Sequence, residues 1–175
     1  MSNEFPSSTA FAAGEIYVSQ AGPLVNLVDR MWREVSTIAS FGRNSQYQLQ
    51  PIVEDGSISA WRYVAPGPAS PDRSTYLQTG IWYPEAGLWF DADDVGAELR
   101  GPQAYLLFAN DSDDMFTAAK GELEGFVRPA SDFLAFKPIA DFPGNPQSRG
   151  EEIIRWVAER GRALKVFLTA HGLIA

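Results

Sequence analysis

The stretch that most constrains this chain is TYLQTGIWYPEAGLWFD, residues 75–91, in which two apolar runs rich in aromatic and β-forming residues are split by a turn signal. Pro84-Glu85-Ala86-Gly87 sets proline where its fixed φ suits a turn and glycine where φ can become positive. The pattern predicts a β-hairpin whose four-residue loop pairs Tyr83 with Leu88. Side chains alternate along a strand, so Tyr83, Leu88, Ile81 and Phe90 are expected on one side of the sheet and Trp82, Trp89, Gly80 and Asp91 on the other. Opposed tryptophans add up to about 1 kcal/mol beyond an alanine pair, which accounts for a stable hairpin without implying a function.

A second hairpin is expected upstream. From Gln46 the apolar period becomes two, with Gln46, Gln48 and Gln50 alternating against Tyr47 and Leu49, and Asp55-Gly56 is a strong two-residue turn signal. That turn sets Val53 opposite Ile58, Leu49 opposite Arg62, Gln50 opposite Trp61 and Gln48 opposite Tyr63. Pro51 cannot donate to a ladder, so residues 46–53 read as an edge strand or a bulged one. Residues 65–74 hold three prolines and a glycine and form a loop inside the sheet. The run QAYLLFA (103–109) is apolar without alternation, as suits a central strand buried on both faces. Residues 110–114 end that strand and offer a cap for a helix through Met115, Phe116, Ala119 and Leu123. A further strand is expected near residues 133–137.

Helices bracket this β-rich centre. Leu24, Leu27, Val28, Met31, Val35 and Ile38 recur at helical spacing after Gly22-Pro23, which predicts an amphipathic helix over residues 23–41 with Pro23 at its first position. Its Asp29/Arg33 and Arg30/Glu34 pairs read as a solvated face. At the other end, Ile153, Val157, Leu164 and Leu168 line a helix over residues 149–170, with Ser148 and Glu151 as its capping box. Residues 15–18 read as a short strand and residues 1–14 as a flexible tail. The expected fold is therefore one α+β domain over residues 15–175. Its antiparallel sheet has about five strands built from consecutive hairpins, packed against an N-terminal and a C-terminal helix.

Composition excludes several functions. The chain has 22 acidic and 14 basic residues, a net charge of -8, with Lys120, Lys137 and Lys165 its only lysines. That balance repels phosphate backbones and argues against nucleic-acid binding. There is no cysteine, which removes disulfides, thiolate nucleophiles and cysteine-ligated metal sites. The N-terminal residues carry no basic leader and no long apolar segment, so a cytoplasmic protein without a membrane anchor is expected.

Candidate chemistry is sparse. His171, the only histidine, lies near the end of the last helix and reads as a helix-end residue, which disfavours a Ser-His-Asp triad. Glycine-rich phosphate-binding motifs are absent. The acidic clusters at 91–94 and 110–114 are the remaining candidates for a metal, with Asp91, Asp93 and Asp94 foremost. They lack EF-hand spacing, and antiparallel strands would place the two clusters at opposite sheet edges, so loop and cap roles fit better. No metal or cofactor is expected. A carboxylate- or metal-dependent hydrolase is the alternative function.

The aromatic residues are more suggestive. In the registers above, Trp61, Tyr63, Trp82 and Trp89 can share one sheet face with Asp91 at its edge, and tryptophan and tyrosine dominate binding hot spots. The opposing reading is that the terminal helices cover this face and the aromatics are core, as large aromatics usually are. The function expected is a non-catalytic protein-binding module, such as an inhibitor or immunity-type protein that neutralises a basic partner. Self-association is left open.

Overall fold

The computed structural model describes residues 8–41, 48–50, 56–65, 74–86, 90, 92–96, 98–110, 119, 121–129 and 132–174. The chain order is helix α1 (Ser8–Val35), strands β1 (Gln48–Gln50), β2 (Ser57–Tyr63) and β3 (Thr75–Trp82), the short helix α2 (Ala92–Val95), strands β4 (Gln103–Asn110) and β5 (Phe133–Pro138), a 3-10 turn (Ile139–Asp141) and helix α3 (Pro146–Ala170). This is an α+β fold with helices at both ends. The strands form one antiparallel sheet in the order β1-β2-β3-β4-β5, with β1 a three-residue addition at one edge of four longer strands.

The two long helices lie on one face of this sheet. Val28, Met31, Trp32 and Val35 of α1 and Ile153, Val157, Leu164 and Leu168 of α3 are buried against Ile58, Ala60, Leu77, Ile81, Ala104, Leu106, Phe108, Phe133 and Ala135 of the strands. The helices touch closely at Gly161, where a side-chain carbon would meet Ile38 Cδ1 at 3.0 Å and Val35 Cγ1 at 3.2 Å. Polar links join them at the surface. Arg30 donates two hydrogen bonds to the Glu151 carboxylate, at 2.8 and 2.7 Å, and Lys165 Nζ donates to the Thr37 carbonyl at 2.9 Å. The hydrogen bonds from Arg30 hold the Glu151 carboxyl below its ordinary range.

Several local expectations are corrected. Helix α1 starts at Ser8 and runs through the segment 15–18 expected to be a strand, with Pro23 inside it and exposed. Proline removes one amide donor and costs a helix interior about 3 kcal/mol. The preceding stretch, however, carries Ala10, Ala12, Ala13 and Ala21, and alanine is the strongest helix former. The residues after Pro23 are held by packing on α3 and the sheet. The Asp29–Arg33 pair forms at 2.6 Å, but Arg30 turns to the other helix.

At α3 the N-cap is Asn145, not the expected Ser148. Asn145 Oδ1 accepts from the amides of Gln147 and Ser148 at 3.1 and 3.0 Å, and Pro146 occupies the first turn, where no amide donor is needed. The C-terminus closes around Gly172 at φ 65°. Gly172 N–H donates to the Thr169 carbonyl and Leu173 N–H to the Leu168 carbonyl, the paired bonds of a Schellman ending, with Leu168 and Leu173 both buried.

The expected central hairpin does not form. A turn is present, with Ala86 N–H donating to the Tyr83 carbonyl at 2.9 Å, but β3 pairs along its whole length with β2 on one side and β4 on the other. Trp82 sits between Ser57 and Gln103, so no edge of β3 remains for residues 88–91. Phe90 lies in a bend; residues 87–89 and 91, including Trp89 and Asp91, fall outside the described residues. The β1–β2 register is also two residues from the expected one, with Gln48 rather than Gln50 opposite Trp61. An even shift preserves the faces. The helix expected from Met115 falls largely outside the described residues, and Leu123 is not helical. The strands expected at 103–109 and 133–137 are present as β4, buried along nearly its whole length, and β5.

Candidate functional site

Alternation divides the strand residues between two faces. Ile58, Ala60, Leu77, Ile81, Ala104, Leu106, Phe108, Phe133 and Ala135 point to the helices. Directly paired residues share a face, so the opposite face carries Ser57, Ser59, Trp61 and Tyr63 of β2 and Tyr76, Gln78, Gly80 and Trp82 of β3. The same pairing adds Gln103, Tyr105, Leu107 and Ala109 of β4 and Leu134, Phe136 and Pro138 of β5. We call this the outer face. Among the described strand residues it bears no charge: Arg62 and Lys137, the charged residues of those strands, fall on the helix face by the same alternation.

One end of the outer face is covered from within the chain. Phe90, Val95 and Leu99, from the connection between β3 and β4, pack with Trp82, Tyr105 and Leu107. Trp82 is fully buried there, edge to face with Phe90 at 6.4 Å between centroids. Gln103, also fully buried, fastens this cover by donating through Nε2 to the carbonyls of Arg100 and Gly101 at 2.8 and 3.1 Å. Beside it, Tyr105 lies opposite Gly80 across the β3–β4 ladder. Burial raises the Tyr105 phenol pKa well above its ordinary value, an effect that its polar neighbours Ser57, Ser59 and Gln78 oppose.

The same cluster continues towards the other end, where Ala109 and Leu134 are buried and Tyr76 and Val127 pack against it. Trp61, Tyr63 and Tyr76 are half-buried and meet edge to face: Trp61–Tyr63 centroids lie 5.2 Å apart at 85°, Trp61–Tyr76 6.3 Å at 67°, and Tyr63–Tyr76 6.3 Å at 82°. Three mutually tilted rings favour one another through the ring quadrupole and hold a fixed shape. They do not make the coplanar platform that stacking along a flat sugar or base would use. Gln78 and Gln48 stand directly beside Trp61 in register.

Of the residues expected to form a site, Trp61, Tyr63 and Trp82 therefore share one face, and it is the face away from the terminal helices. Trp82 nevertheless lies under the chain's own cover and has no surface to offer. Trp89 and Asp91 lie outside the described residues. Tyr76 was missed by the sequence reading because β3 was paired with residues 88–91 instead of β2, although its even spacing from Trp82 places it on that face.

The acidic candidates Asp93 and Asp94 are exposed in α2, and Asp91 falls outside the described residues. Among the described residues no group of three or more histidine, aspartate and glutamate side chains is placed to hold a metal ion. His171 caps α3, its ring stacked on Phe167 at 4.1 Å and its Nδ1 2.9 Å from the Phe167 carbonyl oxygen. No helix among the described residues is long and apolar enough to cross a membrane. Comparison of the chain with protein-family models, with curated proteins and with solved structures found no match.

Proposed function

We propose that the protein is a non-catalytic binding module whose contact surface is centred on Trp61, Tyr63 and Tyr76 and whose partner is another protein. One observation carries this reading: a preorganised aromatic cluster stands on the sheet face that the helices leave uncovered, and that face is free of charge among the described strand residues. Interface centres are depleted in charge and enriched in tryptophan and tyrosine, and hot-spot residues cluster in this way. A rigid cluster also loses little conformational entropy on binding. The net charge of -8 adds a second property, faster encounter with a basic partner, as an inhibitor or immunity-type protein acting in the cytoplasm would need.

The test compares wild type with Trp61→Ala. Each is immobilised to capture partners from native lysate, and the protein captured by wild type alone is then purified and titrated against both. Loss of an anchor of this kind costs about 2 kcal/mol or more, roughly a thirtyfold weakening. Equal affinity for the two proteins removes the aromatic cluster as the contact surface.

A further inference from the structure

We draw no further inference here: the strongest candidate, the side-chain cluster of Trp82, Gln103 and Tyr105 beneath the connection between β3 and β4, is fully buried under the chain's own Phe90, Val95 and Leu99, and nothing in the structure shows what ligand would reach it.

Discussion

Replacing Gly80 by alanine should damage this protein more than its single added methyl group suggests. Gly80 is in the middle of β3, opposite Ser59 of β2 and Tyr105 of β4, so the strand is held on both sides. A carbon placed at its Cβ position would overlap the Ile58 carbonyl oxygen and lie 2.8 Å from Ser59 Cα and 2.9 Å from the Ile58 carbonyl carbon. All three obstacles are backbone, so no rotamer change relieves them. Ordinary contact begins near 3.5 Å, so β2 must retreat by about 1 Å or more. That retreat stretches two or so ladder hydrogen bonds beyond bonding distance, each contributing about 1 kcal/mol, and adds about 1–3 kcal/mol of overpacking. The total of about 3–5 kcal/mol is a large part of the 5–15 kcal/mol by which domains are usually stable.

At roughly 2–4 °C per kcal/mol for a chain of this size, Gly80→Ala should melt roughly 6–20 °C below wild type when followed by circular dichroism. Urea unfolding should show a lower midpoint with an unchanged slope. Gly22→Ala is the matched control. Gly22 lies in α1 with nothing within 4 Å of its Cβ position, so alanine there should be neutral or stabilise by up to about 1 kcal/mol. A Gly80→Ala melting point within about 2 °C of wild type would refute the close approach of β2 and β3 on which this reasoning depends.

Trp82→Ala should remove a fully buried ring and lower stability by about 3–5 kcal/mol, while Trp61→Ala, at a half-buried position, should cost less than half as much. Urea unfolding of the two variants decides it, and a larger loss for Trp61 would refute the assignment of Trp82 as the more deeply packed of the two rings. Tyr105 supplies a pH prediction. Its folded-state pKa is raised above the ordinary value of 10, so its contribution is fully present below about pH 10 and is lost as pH rises towards the folded value. Relative to Tyr105→Phe, wild type should therefore lose stability between about pH 9 and pH 11; a constant difference across that window would show that the phenol is not held neutral by the fold.

What the sequence determined by itself was local periodicity. The helical spacing of Ile153, Val157, Leu164 and Leu168 and the unbroken apolar run of 103–109 each identified an element. Strand alternation put Trp61 and Tyr63 on one side of β2 even though the register with β1 was two residues off, because an even shift changes partners without changing faces. End signals were less decisive. Ser148 and Asn145 are both acceptable caps, and the tertiary structure uses the one that precedes Pro146.

Only tertiary structure decided which strands are neighbours and which face is inside. Locally, Pro84 to Gly87 favours folding residues 88–91 back on β3, a pairing of at most four residues. Against that stand eight pairs with β4, which bury Leu106, Phe108, Tyr105 and Leu107 on the two faces of the sheet. A turn signal is worth a local preference, whereas a full central strand brings a ladder and two buried faces, so the distant partner wins despite the longer loop. The same applies to the candidate surface. Alternation assigns Trp61, Tyr63, Tyr76 and Trp82 to one side but cannot say whether the helices take that side. They take the other, burying Ile58, Ala60, Leu77, Ile81, Leu106 and Phe108, while the outer face mixes Trp82, Tyr105 and Leu107 with the polar Ser57, Ser59, Gln78 and Gln103.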